Sequence, residues 1–367
     1  MNQQVKESIF MYIGSYTNKN TTGIYQCSFN PSTGTMKLID RINDIEHPSF
    51  LTIDQDQKIL YAVSETKEVD GRQSGKVVSY RIHPKTGELT YLNEQLTLGA
   101  HPCYVSLNSQ KRQLFAVNYS GGNICSFPIR ANGEIGEITD LVQHEGSSIR
   151  VDRQSNAHPH SIIIDPSMQF AYVPDLGLDR IKIYQLTKDN KLNNIKDIQL
   201  QPGAGPRHLV FHPLNPYAYL INELDCTITV YSYTNDGSLT QLQNIPTLPQ
   251  PINPKNTGAD IHILPSGRFL YGSIRGDNSI FIYQINQENG HLTFVDKVST
   301  RGNNPRNFSL SPDGRFLVVA NQSSDSIISF EIDQETGKLS EPRDSLHVSE
   351  PVCIQFLRHD KPPKSPV

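Results

Sequence analysis

GPRHLVFHPLNPYAYLINELDCTITVYSYTNDGSLTQL, residues 205–242, holds four short apolar segments separated by turn residues. Leu209–Phe211 runs into His212–Pro213–Leu214–Asn215–Pro216, which turns the chain into Tyr217–Ile221, ending at Asn222–Glu223. Thr227–Tyr233 alternates β-branched and aromatic residues, and Asn235–Asp236–Gly237 reverses it into Leu239–Leu242. Asn, Asp and Gly accept the dihedrals of a tight reversal and Pro presets one of them, so the segments read as strands joined by hairpins.

The same order returns along the chain. Phe308–Leu310, Pro312–Asp313–Gly314, Phe316–Ala320, Ser326–Ile332 and Thr336–Gly337–Lys338–Leu339 form one copy. Ile261–Leu264, Pro265–Ser266–Gly267, Phe269–Ser273, Ser279–Ile285 and Asn289–Gly290–His291–Leu292 form another. The units open at Pro48, Pro102, Pro159, Pro206, Gly258, Pro305 and Pro351, at intervals of 46 to 57 residues. Four short strands per repeat of this length are the signature of a β-propeller blade. Phe10–Gly14, Gly23–Phe29 and Met36–Ile42 match second, third and fourth strands, and the first strand missing there is supplied by Pro351–Leu357. The expectation is an all-β, seven-bladed β-propeller with four-stranded blades, its closing blade built from both termini so that no sheet edge stays open. One domain spans residues 1–367, with an ordered core from about residue 8 to 358 and inserts near Lys67–Ser74 and Gln143–Asn156 decorating loops. The tail His359–Val367 is expected to be disordered.

Composition excludes several classes. No apolar run approaches a bilayer-spanning length, and Met1–Ser8 is polar, without the core or cleavage site of a secretory signal. The net charge of -4 is mixed in sign, with no basic stripe interleaved with aromatics, which argues against nucleic acid as a partner. Five cysteines form no CxxC pair, so a reduced, cytoplasmic setting with packed thiols is expected, without structural zinc.

A propeller places the start of each first strand and the end of each second strand on one face of its central channel. The residues after the unit openings are Ser49, Cys103, His160, Arg207, Ala259, Arg306 and Val352. Those closing the second strands are Tyr16, Glu65, Tyr119, Leu176, Glu223, Arg275 and Gln322, each preceded in turn by Ser15, Ser64, Asn118, Asp175, Asn222, Ile274 and Asn321. His160, Arg207 with Glu223, Arg275 and Arg306 fall in consecutive blades, so one sector of the ring is expected to gather imidazole, carboxylate and guanidinium groups. Forked guanidinium donors suit phosphate or carboxylate, and Glu or His supplies an acid or base. Each also has a structural reading: Arg207 and Glu223 as a strand-tying ion pair, Arg306 paired to a neighbouring blade, His158 and His160 as turn histidines, Arg275 in a loop ion pair.

Other patterns carry less. His208 and His212 are four apart on a strand and turn, where that spacing does not share a face. His262 reads as a core histidine, and Gly121–Gly122–Asn123 as a hairpin turn with no helix following. There is no GxSxG elbow, and arginine outnumbers carboxylate on the charged face, so no metal and no cofactor are expected.

Met11–Tyr12–Ile13–Gly14–Ser15–Tyr16–Thr17, Asn118–Tyr119–Ser120–Gly121–Gly122, Ala157–His158–Pro159–His160 and Gly203–Ala204–Gly205–Pro206–Arg207–His208 resemble the seven-bladed propeller lactonases of the 6-phosphogluconolactonase type. Phe211–His212–Pro213, Asn222–Glu223, Ala259–Asp260–Ile261–His262 and Asn304–Pro305–Arg306–Asn307–Phe308 extend the likeness from Phe10 to about Phe356. The resemblance implies a carboxylic-ester hydrolase that opens 6-phospho-D-glucono-1,5-lactone to 6-phosphogluconate in the oxidative pentose phosphate pathway, with a small anionic sugar lactone as its partner. It implies His160, Arg207, Glu223 and Arg275 as the catalytic set, His158 being an alternative for the histidine role. Glu223 or His160 is then expected to activate water and Arg207 to stabilise the oxyanion. Arg275 and Arg306 would hold phosphate, and Asn118 and Asp175 sugar hydroxyls. Related fungal propellers interconvert carboxymuconate and its lactone with a comparable set, so another anionic lactone is the alternative. A non-catalytic binding scaffold is the reading from outside enzymology.

Overall fold

A computed structural model describes residues 8–19, 21–249 and 253–358; the tail His359–Val367 and all of Met1–Ser8 but its last residue lie outside them. Seven four-stranded antiparallel sheets follow one another along the chain. Counted from the first complete sheet, blade one spans Leu51–Leu96, blade two Pro102–Gln143, blade three Ile163–Gln199 and blade four Pro206–Pro246. Blade five spans Thr257–Ser299 and blade six Pro305–His347. Blade seven joins Ile9–Ser15, Ile24–Phe29 and Met36–Ile42 to Pro351–Phe356, with Met11 facing Phe356 and Gly14 facing Cys353. The closure expected from the two ends of the sequence is present.

Every blade is apolar on both faces because it is sandwiched between two others. The described core is accordingly divided into seven clusters, one between each neighbouring pair of blades. Polar rivets repeat at these interfaces. Tyr12, Tyr61, Tyr172, Tyr219 and Tyr271 each stand in a second strand and donate a hydroxyl hydrogen bond to a glycine carbonyl of the next blade, at Gly87, Gly133, Gly237, Gly290 and Gly337. Those glycines close the outer hairpins with positive φ, +83° at Gly237, a conformation that glycine adopts without strain.

The first strands are not regular where they begin. Pro102 faces Asn118 but Tyr104 faces Val117; Pro206 faces Asn222 but His208 faces Ile221; Pro305 faces Asn321 but Asn307 faces Ala320. The extra residues in these β-bulges are Cys103, Arg207 and Arg306, the positions after the opening prolines. A bulge unpairs one residue and re-aims its side chain, here toward the channel. Proline is tolerated as the first residue of the strand because its missing N–H is not needed there. Gly205 precedes Pro206 with φ +64°, and a Cβ on it would meet Leu224 Cγ at 2.4 Å.

Three details depart from the expected repeat. The insert near Lys67–Ser74, read as a plain loop, carries a small hairpin of Glu68–Val69 and Arg72–Gln73. Blade three keeps only Ile163–Ile164 as a first strand, with Pro159 reaching Asp175 through an isolated bridge. A 3-10 turn, Gln322–Ser324, follows the second strand of blade six. No helix among the described residues is long and apolar enough to cross a membrane.

Candidate active site at one mouth of the channel

Where the first strands begin, the channel opens into a cavity of about 230 Å³ lined by Tyr16, Glu65, Cys103, Tyr119, Arg153, His160, Glu223, Arg275 and Arg306. Glu223 follows the second strand of blade four and is buried in a cage of three guanidinium groups. Arg153 Nη2 donates to its Oε1 at 2.6 Å, while Arg207 Nε and Arg275 Nη2 both reach Oε2 at 3.0 Å. Burial by itself would raise the Glu223 carboxyl, but Arg275, Arg207 and Arg153 outweigh it and hold the group far below the usual carboxylate range. Both carboxylate oxygens are taken up by guanidinium donors, so Glu223 stands as a hub that fixes three arginines.

Arg207 lies one layer below the cavity. Its side chain is only 2% exposed. Besides Glu223, it donates through Nη1 to the Ala259 carbonyl and to His208 Nε2, the latter at 3.2 Å. Burial, then Arg275 and Arg306, lower its pKa to about 10, which leaves it charged at neutral pH. Its depth comes from the bulge, which turns the side chain inward and down the channel. The ion-pair reading and the functional reading of Arg207 with Glu223 therefore both hold, because the pair is itself the floor of the site.

His160, the third-blade residue after Pro159, lines the cavity above this pair. Its Nδ1 lies 3.9 Å from Cys103 Sγ, and Nε2 makes no hydrogen bond among the described residues. Burial first, then the charges of Arg207, His208, Arg306 and Arg275, push its pKa well below the usual histidine value. It is a neutral imidazole with an unused nitrogen at neutral pH. His158 is turned away: its Nδ1 pairs with the Tyr119 carbonyl at 2.9 Å, and its ring stacks on Tyr119 at 4.5 Å. It supports the wall rather than lining the space.

Arg306 differs from its companions. Its guanidinium sits 5.7 Å from the centre of the Tyr16 ring and has no hydrogen-bond acceptor or ion-pair partner among the described residues. Arg275 bonds Glu223 and the Gly258 carbonyl, leaving its buried Nε without a partner. The unpaired guanidinium of Arg306 makes this wall a ready receptor for an oxyanion. Across the mouth, Tyr16 Oη donates to Glu65 Oε2 at 3.0 Å. Arg153, Arg207, Arg275 and Arg306 against Glu65 and Glu223 leave a formal excess of two positive charges around the cavity.

Two expected binders are elsewhere. Asn118 is fully buried, donating through Nδ2 to Thr97 O at 3.1 Å and to Asn123 Oδ1 at 2.6 Å. Asp175 accepts from His144 Nδ1 at 2.7 Å and from the backbone N–H groups of His158, Gly177 and Leu178. Each stands last in its second strand, where the side chain ties down the following turn, so neither reaches a sugar hydroxyl. The one-sided sector is corrected too. Tyr16, Glu65 and Tyr119 sit at the aligned strand-closing position and complete the ring, because closure sets blade seven beside blade six. Arg153 carried no such signal, lying in the Gln143–Asn156 insert where the repeat imposes nothing. His144 and Asp175 pair, as do others, but no group of three or more His, Cys, Asp or Glu among the described residues is arranged to hold a metal.

A family model described as "Lactonase, 7-bladed beta-propeller" matches residues 10–356. A 6-phosphogluconolactonase of Bacillus subtilis (strain 168) is 33% identical over 347 residues, covering 94% of this chain and 97% of that one. The crystal structure of a putative 6-phosphogluconolactonase from Bacteroides fragilis superposes with a TM-score of 0.90 at 32% identity, covering 98% of this chain and 100% of that one. A periplasmic gluconolactonase of Pseudomonas aeruginosa gives a TM-score of 0.91 at 32% identity, over 96% of this chain and 99% of that one.

Proposed function

The chain belongs to the seven-bladed β-propeller lactonase family and is a lactone-hydrolysing carboxylic-ester hydrolase; from that premise we propose that it opens 6-phospho-D-glucono-1,5-lactone to 6-phosphogluconate. The observation that carries this choice is Arg306, a cation at the cavity wall with no acceptor of its own. With the excess of two positive charges, it supports a dianionic phosphate as the recognised group.

In the proposed reaction His160 Nε2 takes a proton from water as the water oxygen bonds to the lactone C1. The carbonyl oxygen becomes an oxyanion, which the positive charge of the Arg275 guanidinium at the cavity wall stabilises. The C1–O5 bond then breaks, and the His160 imidazolium returns its proton to O5. Arg207 contributes from below, by its charge and by holding Glu223. The bound phosphate offsets the arginine charges that depress His160, so substrate itself makes the base stronger. Glu65, Tyr16 and Tyr119 face the space left for sugar hydroxyls. A cytoplasmic setting in the oxidative pentose phosphate pathway belongs to the same proposal, and the five separate, buried, free thiols are consistent with it.

An unphosphorylated glucono-lactone is the second reading, favoured by the name of the Pseudomonas relative. Initial rates of lactone loss, corrected for spontaneous hydrolysis, separate the two. The phosphorylated lactone should show the higher kcat/KM by at least tenfold. Equal or inverted values select the second reading, and preference for a muconate-type lactone overturns both.

A further inference from the structure

Beneath the cavity floor, hydrogen bonds continue from Arg207 into the wall of the channel. His208 Nδ1 lies 2.8 Å from Asp260 Oδ1, and His208 Nε2 lies 3.2 Å from Arg207 Nη1. A guanidinium only donates and a carboxylate only accepts, so these two neighbours fix the imidazole in one tautomer, with its proton on Nδ1. Asp260 is itself held from several sides. Asn307 Nδ2 donates to Oδ2 at 2.5 Å and His262 Nε2 lies 3.0 Å from the same oxygen. The Ile261 and Phe308 backbone N–H groups complete its shell. Asn307 in turn accepts from Ile354 N, which fixes its amide and joins blades five, six and seven.

We propose that Asp260 and His208 are positioning residues, a dyad that sets the Arg207 guanidinium, and through it Glu223, for the chemistry of the mouth. The proposal rests on the lactonase reading above. The carboxylate dictates the imidazole tautomer, and the tautomer presents a lone pair where Arg207 needs an acceptor. An amide at position 260 breaks that logic. Its NH₂ placed toward His208 turns Nδ1 into an acceptor and moves the ring proton to Nε2, where it confronts Arg207. Placed the other way, it confronts the donors of Asn307 and His262. A glutamine at position 208 offers Arg207 a carbonyl oxygen whatever stands at 260.

The test compares wild type, Asp260→Asn, His208→Gln and the double variant, each scaled to folded protein by thermal melting. Asp260→Asn should lower kcat at least tenfold with KM changed less than threefold. In the His208→Gln background the same substitution should cost less than threefold. Nitrogen NMR of the wild type should show His208 protonated at Nδ1, with the proton moving to Nε2 in Asp260→Asn. An Nε2 proton in the wild type overturns the dyad without reference to activity. Equal losses in both backgrounds overturn it as well, by assigning Asp260 a purely structural role. If the tautomers behave as stated but wild type opens no lactone, the dyad stands and the lactonase reading falls.

Discussion

Two stretches of the channel are built by the same strands and could hardly differ more. At one, strand starts and strand ends converge on four arginines, a neutral histidine and a cavity of about 230 Å³. Further along the channel, the first strands enclose about 360 Å³ lined by Phe50, Tyr104, Ile163, Val210 and Phe211, and on one side by His208, Asp260, His262 and Asn307. Phe50 and Tyr104 stack there with ring centres 4.0 Å apart. The larger cavity is the more apolar one yet takes in the His208–Asp260 network on one side, so size does not locate the chemistry. The difference lies in the bulges. Bulged positions after the opening prolines turn Arg306 into the first mouth and Arg207 beneath it, whereas regular pairing farther along alternates side chains between channel and blade. Ladder irregularity frees a residue from packing, and freed residues can carry charge.

The contrast can be broken most severely at Glu223. Glu223→Gln strips the caged charge and should cost about 3–5 kcal/mol of stability, read by denaturant unfolding, because buried guanidinium groups lose their counter-ion. Turnover should fall at least about a hundredfold, the loss expected when preorganised electrostatics fail. A variant with wild-type stability would show that the cage contributes little. Arg306→Ala comes next: KM for the phosphorylated lactone should rise about 10–100-fold, the worth of a charge-assisted contact. KM for glucono-1,5-lactone should move less than threefold, and an equal rise for both would remove the phosphate assignment.

Acid should expose the same asymmetry through stability. Burial and the neighbouring charges lower His160 well below the usual value and His208 to about 4. Between the ordinary histidine value near 6.5 and the lowered ones, the unfolded chain binds protons that the folded chain refuses. The share of His160 and His208 should therefore be full above about pH 6.5 and decline as the pH falls toward 4, before most carboxylates titrate. His262 acts oppositely, since Asp260 outweighs its burial and raises it, so its share is present at low pH and lost as pH rises. A melting temperature flat from pH 7 to 5 in a His262→Gln variant, which lacks that opposing share, would contradict the neutral assignment of His160 and His208. The smallest effect belongs to the apolar side of the larger cavity: Val210→Ala should cost about 1 kcal/mol of packing and change kcat/KM less than twofold. A tenfold activity loss at Val210 would mean that the apolar side of this cavity is coupled to the arginine mouth.

Legibility followed the same boundary. Glycine and proline turns at fixed spacing revealed the blades, because each blade needs the same reversals. Aligning Pro206 with Pro305 revealed Arg207 and Arg306, because bulge and proline travel together. Asn118 and Asp175 were misplaced by the same alignment: one residue earlier in a strand points to the opposite face, into the blade. Arg153 was invisible, since an insert obeys no repeat. Tyr16 and Glu65 were visible in position but not in company.

Local rules therefore determined the number of blades, the closure by both termini and the face on which charge collects, since strands, turns and their period are written within a few tens of residues. Tertiary structure alone decided that Glu223 is caged by three arginines, that Arg306 has no acceptor among the described residues and that His208 pairs with Asp260. Those properties depend on groups brought together from different blades, whose separations no local pattern encodes and whose desolvation exists only once the ring has closed.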